Sequence, residues 1–252
     1  MMSYRGVSRR ILDAQNFENI LFFALLTTTT GARHGLLDRL LELESGVAGV
    51  IGVILVGGQS RRYGRNKAME VFQGERLIDR QVRIVRSLFP EVIVVTNKPE
   101  LYLHLEVTIV RDVIPRQGPL GGIYTGLLFA RGQSVFVTAC DMPFLQPPVI
   151  RRMVELADDY DVVVPEKKAG LEPLHAIYSC RCLPHIKRML ARQELQIISL
   201  FPSVRVYRLG SEEIGQLDPR KLTFFNINTP DDMEKARELL EEVEVREDSE
   251  AG

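Results

Sequence analysis

The sequence predicts an α/β fold, three layers (α/β/α) around a mostly parallel sheet, and three observations carry that prediction. Val50–Val56 is an almost uninterrupted aliphatic run rich in β-branched residues, the pattern of a strand buried on both faces. From Val50 onward, short apolar runs alternate with stretches of helical periodicity, as in successive βα units. The residues with chemistry to offer, Gly57-Gly58, Asn97, Asp112 and Asp141, fall where those runs end, and that is the edge at which open α/β sheets bind ligands.

Taken in order, residues 1–46 do not share the pattern. Arg5, Arg9 and Arg10 precede the apolar run Ile20–Leu26 and the threonines Thr27–Thr30. The run falls well short of the about 20 apolar residues that span a bilayer. Asp13 and Glu18 interrupt the basic-to-apolar transition of a signal peptide. Leu36, Leu37, Leu40, Leu41 and Leu43 suit a short amphipathic helix, so the expectation is an accessory or poorly ordered extension rather than a targeting device.

After the first strand and a polar loop, Glu75–Phe89 sets Leu77, Ile78, Val82, Val85, Leu88 and Phe89 on one helical stripe that Pro90 ends. Val92–Val95 and Val107–Val110 read as strands closing on Asn97 and Asp112. Gly118-Pro119-Leu120-Gly121-Gly122 opens a helix running to about Arg131. Val135–Ala139 is a strand that delivers Cys140-Asp141-Met142-Pro143, and Pro147-Pro148 starts the next helix. Asp161–Val164, Leu174–Tyr178, Val204–Tyr207 and Phe224–Ile227 read as later strands, with a helix near Leu183–Leu190. The last helix takes Thr229 as N-cap, Pro230 at its first position and Asp231 and Asp232 against its dipole. No repeat or linker divides residues 47–245, which read as one domain, and the polar tail 246–252 is expected to fray.

Composition excludes some partners. With 252 residues, 45% hydrophobic, 26% charged and a net charge of −1, the chain has no global field for nucleic acid or an anionic membrane. Cys140, Cys180 and Cys182 make an odd set without a paired framework, which favours a reducing compartment, the cytoplasm. Cys180-x-Cys182 lacks a second pair at metal spacing. The histidines His34, His104, His175 and His185 are scattered; His175 leads into a strand and reads as structural, with an acceptor-facing role as the alternative.

The loop after the first strand, Gly57-Gly58-Gln59-Ser60-Arg61-Arg62-Tyr63-Gly64-Arg65-Asn66-Lys67, joins two glycines to a dense basic segment. Backbone N–H groups free of nearby Cβ atoms, with arginine and lysine beside them, make a place for an anion. The plain alternative is a β-to-α turn with solvated charges. The nucleoside-triphosphatase pattern G-x-x-x-x-G-K-[ST] is absent, because Gly58 to Gly64 is one residue too long and Arg65 follows; G-x-G-x-x-G is absent too. Asp141, at the end of a buried strand, is a hard oxygen ligand suited to magnesium, or alternatively a helix cap before Pro143.

This loop resembles the L-x-G-G-x-S-x-R-x-G-x-x-K signature of nucleotidyltransferases of the molybdenum cofactor guanylyltransferase type, here Leu55, Gly57, Gly58, Ser60, Arg62, Gly64 and Lys67. Many relatives carry Asp where this chain has Asn66. The resemblance spans about Val50 to Leu240 and implies a Rossmann-like fold of the nucleotide-diphospho-sugar transferase type. It further implies that Lys67 contacts the triphosphate, that Leu55, Val56, Gly57 and Gly58 hold the guanine nucleotide, and that Asp112 and Asn97 line its site. Asp141 would bind magnesium, and Lys67, Arg62 and Asp141 would form the catalytic set. The second glycine-rich segment would lie near base and ribose, and Phe225-Asn226-Ile227-Asn228-Thr229-Pro230 would close the pterin-phosphate side.

The implied reaction transfers GMP from GTP to molybdopterin with release of pyrophosphate. An anionic phosphate nucleophile needs no general base, consistent with the lack of a Ser/His/Asp or Cys/His set. Contact with molybdenum-cofactor biosynthesis proteins or acceptor molybdoenzymes follows from the same resemblance. Cytidylyl transfer to molybdopterin and sugar-phosphate nucleotidyl transfer stand as alternatives, as does a nucleotide-binding module without turnover.

Overall fold

The computed structural model describes residues 49–57 and 66–250; the extension 1–46 and, in the first loop, Gly58, Ser60, Arg61, Arg62, Tyr63, Gly64 and Arg65 lie outside the described residues. In chain order the elements are β1 (Val50–Val56), β2 (Val71–Phe72), β3 (Glu75–Arg76), α1 (Leu77–Arg86), β4 (Val92–Thr96), β5 (Thr108–Arg111), α2 (Gly118–Phe129) and β6 (Ser134–Ala139). They continue with α3 (Pro147–Glu155), β7 (Val162–Lys167), β8 (Gly170–Leu171), β9 (His175–Tyr178), α4 (Leu183–Ala191), β10 (Val206–Leu209), α5 (Ser211–Leu217) and α6 (Pro230–Glu250). The last helix thus runs into the stretch 246–252 expected as a polar tail.

The central sheet has the order β10-β7-β9-β6-β1-β4-β5, with β8 pairing β7. β1 pairs in parallel with β4 on one side and β6 on the other, which is why its side chains are apolar in both directions. Val50 and Ile54 share one buried cluster with Ile78, Val82 and Val85 of α1 and Val149, Ile150 and Met153 of α3. Ile51 and Val53 point the other way, to Leu120, Ile123 and Leu127 of α2 and Ile186, Met189 and Leu190 of α4. The period-2 alternation of one strand therefore feeds two separate helical layers. A third, smaller cluster joins Phe72, Leu77, Phe144, Ile227, Met233 and Ala236, fastening α6 over the ends of the β2–β3 hairpin and β6.

Three elements differ from the sequence reading. β9 runs antiparallel to both neighbours, β6 and β7. The connection from β7 to β9 is far shorter than the dozen or so residues a parallel crossover needs, so the chain can only turn back. The helix expected from Glu75 starts at Leu77, because Glu75 and Arg76 pair with Phe72 and Val71 across a tight turn, with Gln73 (φ 52) and Gly74 (φ 74) both left-handed. Phe224–Ile227 is not a strand; the N–H of Ile227 goes to the carbonyl of Asp141 (2.9 Å) instead of to a ladder.

The order of connections positions the site. From β1 the chain moves outward through β4 to β5, then crosses by α2 to β6 on the opposite side of β1. β1 and β6 therefore flank the divide where ligands of doubly wound sheets settle. Their register aligns Leu55 with Ala139, so the segments leaving both strands, Gly57 and Asp141, begin side by side.

Candidate active site

Lys67 opens a short 3₁₀ turn, Lys67–Met69, capped by Asn66, whose Oδ1 accepts from the N–H of Ala68 (3.2 Å). The Asn66 amide also donates to the hydroxyl of Tyr102 (2.9 Å), tying the turn to the segment after β4. From this seat the Lys67 ammonium donates to Asp141 Oδ2 at 2.7 Å and to Asn228 Oδ1 at 3.2 Å. The two charged side chains are 12% and 21% exposed, largely screened from bulk water. The sequence distance closed here is 74 residues, and the carboxyl rim of β1 and β6 closes it.

Asn228 is held firmly. Asp232 Oδ2 accepts from the N–H groups of Asn228 (2.9 Å) and Thr229 (2.8 Å), while Thr229 Oγ1 accepts from the N–H of Asp232 (3.2 Å). This reciprocal cap starts α6. The backbone N–H of Asn228 and the other donors of the cap hold the Asp232 carboxyl below its usual range. Thr229 caps as the sequence predicts; the reach of Asn228 to Lys67 was not legible, since nothing in the order of residues brings position 228 beside position 67.

Asp112 belongs to a second cluster at the end of β5. Its Oδ1 accepts from Thr125 Oγ1 (2.9 Å) and the N–H of Ile114 (3.3 Å). Burial pushes its pKa up, and these two hydrogen bonds oppose the shift. The first turn of α2 packs against it: a Cβ on Gly121 would stand 3.4 Å from Asp112 Oδ2 and 3.2 Å from the carbonyl of Ile114. A Cβ on Gly122 would stand 3.0 Å from Leu55 Cδ2. The second glycine-rich segment thus lets α2 close on Leu55 and Asp112, gathering three sequence-predicted features. Val56 is buried, whereas Gly57 is exposed, with no atom of the described residues close to where a Cβ would be. Asn97 is exposed, and its carbonyl accepts from Arg111 (2.9 Å). Arg62 and Gly58 lie outside the described residues.

His175 does not reach an open cleft. It is fully buried, edge-on to Phe136 (5.1 Å) and Phe224 (5.3 Å), and burial pushes its pKa down to about 3, so the ring is neutral. An open depression of about 360 Å³ lies elsewhere, lined by Asp79, Val82, Arg83, Arg86, His104, Leu105 and Glu106, and holds none of the predicted site residues. No helix among the described residues is long and apolar enough to cross a membrane.

A cation resting on a carboxylate at the mouth of a sheet, beside open backbone, suits a ligand rich in negative charge. A family model for the MobA-like NTP transferase domain matches residues 52–203. A molybdenum cofactor guanylyltransferase of Desulfosudis oleivorans is 39% identical over 76% of this chain and 96% of its own length. A probable molybdenum cofactor guanylyltransferase of Pelotomaculum thermopropionicum is 40% identical over 75% of this chain and 93% of its own. The crystal structure of molybdopterin-guanine dinucleotide biosynthesis protein A from Archaeoglobus fulgidus superposes with a TM-score of 0.69 at 26% identity, covering 76% of this chain and 98% of that one. The fold is accordingly of the nucleotide-diphospho-sugar transferase type.

Proposed function

The chain belongs to the MobA-like NTP transferase family, and from that premise we propose that it is a nucleotidyltransferase moving GMP from GTP to molybdopterin, with release of pyrophosphate and formation of the guanine dinucleotide cofactor. The observation that carries the reading is the Lys67 ammonium, 2.7 Å from the Asp141 carboxylate at the divide between β1 and β6.

In the reaction, a phosphate oxygen of the acceptor forms a new bond to the α-phosphorus of GTP, and the bond from that phosphorus to the bridging oxygen of pyrophosphate breaks. The nucleophile is already an anion, so no side chain has to remove a proton. What the protein supplies is position and charge. Leu55, Val56, Gly57 and Gly58 present backbone to the nucleotide, and the lack of a Cβ at Gly57 leaves room for its close approach. Asp112, held by Thr125, and Asn97 line the nucleotide side. Lys67 turns its ammonium to the triphosphate, with Asn228 fixing its direction, and Arg62 adds a second cation from the loop.

The donor set fits magnesium. Among the described residues no group of three His, Cys, Asp or Glu side chains converges to cage a metal. A lone strand-end carboxylate, already beside a cation, matches an ion that takes one or two carboxylates and completes its shell with water and substrate phosphates. Bound at Asp141, magnesium would neutralise charge on the phosphate oxygens. The cytoplasm, where the thiols of Cys140, Cys180 and Cys182 stay reduced, is the proposed compartment, and hand-over to biosynthesis proteins or molybdoenzymes the proposed onward step.

The test is transfer of label from α-phosphate-labelled GTP or CTP to molybdopterin in the presence of magnesium. Labelled dinucleotide from GTP well above that from CTP is the expected result. Preference for CTP, or nucleotide binding without pyrophosphate release, overturns the reading.

A further inference from the structure

The turn that carries Asp141 is held in an unusual way. It leaves β6 without a ladder, so its backbone groups must find partners elsewhere. Its successive carbonyls each take a donor from a distant segment: Asp141 O from the N–H of Ile227 (2.9 Å), Met142 O from the side-chain amide of Gln81, and Pro143 O from Arg80 Nε (2.8 Å). Two of these donors are neighbouring residues of α1.

Gln81 is out of place on any other account. It is fully buried on a helix face shared with Leu77, Ile78, Val82 and Val85, where an apolar side chain would pack without cost. Its orientation is fixed by chemistry, because a carbonyl can only accept and the NH₂ must therefore face Met142. Its Oε1 has no hydrogen-bond partner among the described residues, so the Met142 carbonyl is the only polar contact that justifies the amide. Arg80 is half-buried, its guanidinium 5.3 Å above the ring of Phe72, and burial pushes its pKa below the usual arginine value. Phe72 in turn meets Phe144 edge-on (5.8 Å), the residue after Pro143.

The same helix is fixed to the other half of the site. The N–H of Leu77, its first residue, donates to the carbonyl of Glu70 (2.9 Å), just past the turn that carries Lys67. α1 therefore bridges the two segments whose side chains meet at 2.7 Å.

We propose that Gln81 and Arg80 are positioning residues that set the Asp141 carboxylate for a divalent cation by clamping the Met142 and Pro143 carbonyls. Neither residue touches the nucleotide; they act through the turn, as outer partners orient metal-binding carboxylates elsewhere. The inference rests on the reading of Asp141 as the metal ligand.

The experiment measures Mn²⁺ binding by electron paramagnetic resonance with a non-hydrolysable GTP analogue, beside steady-state kinetics and thermal melting. Gln81→Met, close in volume but without a donor, is expected to weaken Mn²⁺ binding and lower kcat by about 10-fold or more, with KM for GTP within about twofold. Arg80→Met should shift the same way, and Arg80→Lys, which keeps a charged donor, should recover most of the loss. If Gln81→Met does not fold, the arginine pair decides alone by the same criteria. Melting temperatures that fall while Mn²⁺ affinity and kcat stay at the wild-type values would reduce both residues to packing and overturn the inference. A wild-type protein that binds no Mn²⁺ with the analogue would instead remove Asp141 from the metal site, and the clamp's purpose with it.

Discussion

Lys67→Met separates catalysis from folding. The substitution keeps most of the aliphatic stem and deletes the ammonium that lies 2.7 Å from Asp141 Oδ2 and 3.2 Å from Asn228 Oδ1. The cost to the fold is modest, because Asp141 is 21% exposed and can rehydrate. Loss of a partly exposed ion pair and one hydrogen bond comes to about 1–2 kcal/mol. For a domain of this size that is a fall of about 2–8 °C in Tm. The cost to the reaction is larger, since a preorganised charge aimed at a developing anion contributes about 2.7–4 kcal/mol, or about 10²–10³-fold in rate. The assay is pyrophosphate release at saturating GTP and molybdopterin, at 25 °C, with melting followed on the same samples. A rate within about threefold of wild type would refute the role of Lys67. So would a loss of activity that tracks the unfolded fraction.

Gly52→Ala places a Cβ into Val85 Cγ1 and 3.2 Å from Phe89 Cδ2, where the end of α1 lies against β1. Stiff neighbours on both sides make this overpacking of about 2 kcal/mol, read as a lowered denaturation midpoint. His175→Phe keeps the edge-on contacts with Phe136 and Phe224 but removes a titrating group. With the folded pKa at about 3 against 6.5 in the open chain, unfolding takes up a proton between those values, so wild-type stability is full above about pH 6.5 and falls as pH drops toward 3. The variant should lose that slope, up to about 1.4 kcal/mol per pH unit, in urea titrations from pH 7 to pH 4. Asn66→Asp keeps an oxygen for the Ala68 N–H, and the Tyr102 hydroxyl can donate to the new carboxylate. Stability within about 0.5 kcal/mol of wild type and a transfer rate within about twofold are expected, checked by melting and turnover.

Where a single segment dictated its own structure, the sequence was readable. The aliphatic run Val50–Val56 could only be a doubly covered strand, and the Thr229-Pro230-Asp231-Asp232 start of α6 appears with its cap hydrogen bonds in place. Lys67 was legible as part of the basic loop and Asp141 as strand-end chemistry, and the fold brings them into contact. What was hidden depended on pairing across the chain. The reversal of β9 had a signal in the short spacing from Val164 to Leu174, too brief for a crossover helix. The β2–β3 hairpin had a signal in Gln73-Gly74 between short apolar and polar pairs, and its second strand, Glu75-Arg76, was read instead as the start of the helix Glu75–Phe89. Phe224–Ile227 carried strand-like residues, but the asparagines and the proline that follow suit a loop, in which the Ile227 N–H goes to the Asp141 carbonyl and the Phe225 N–H to the carbonyl of Leu222. Gln81 and Asn228 gave no local signal, since their partners lie 61 and 161 residues away.

The most direct measurement is a crystal structure with Mn²⁺ and a non-hydrolysable GTP analogue, using the anomalous signal of the metal to place it. The account predicts a metal peak within bonding distance of the Asp141 carboxylate, the triphosphate against Lys67, and a guanine base beside Leu55 and Asp112. A metal bound away from Asp141, or a triphosphate that leaves Lys67 paired with Asp141 and lies elsewhere on the sheet, would contradict it.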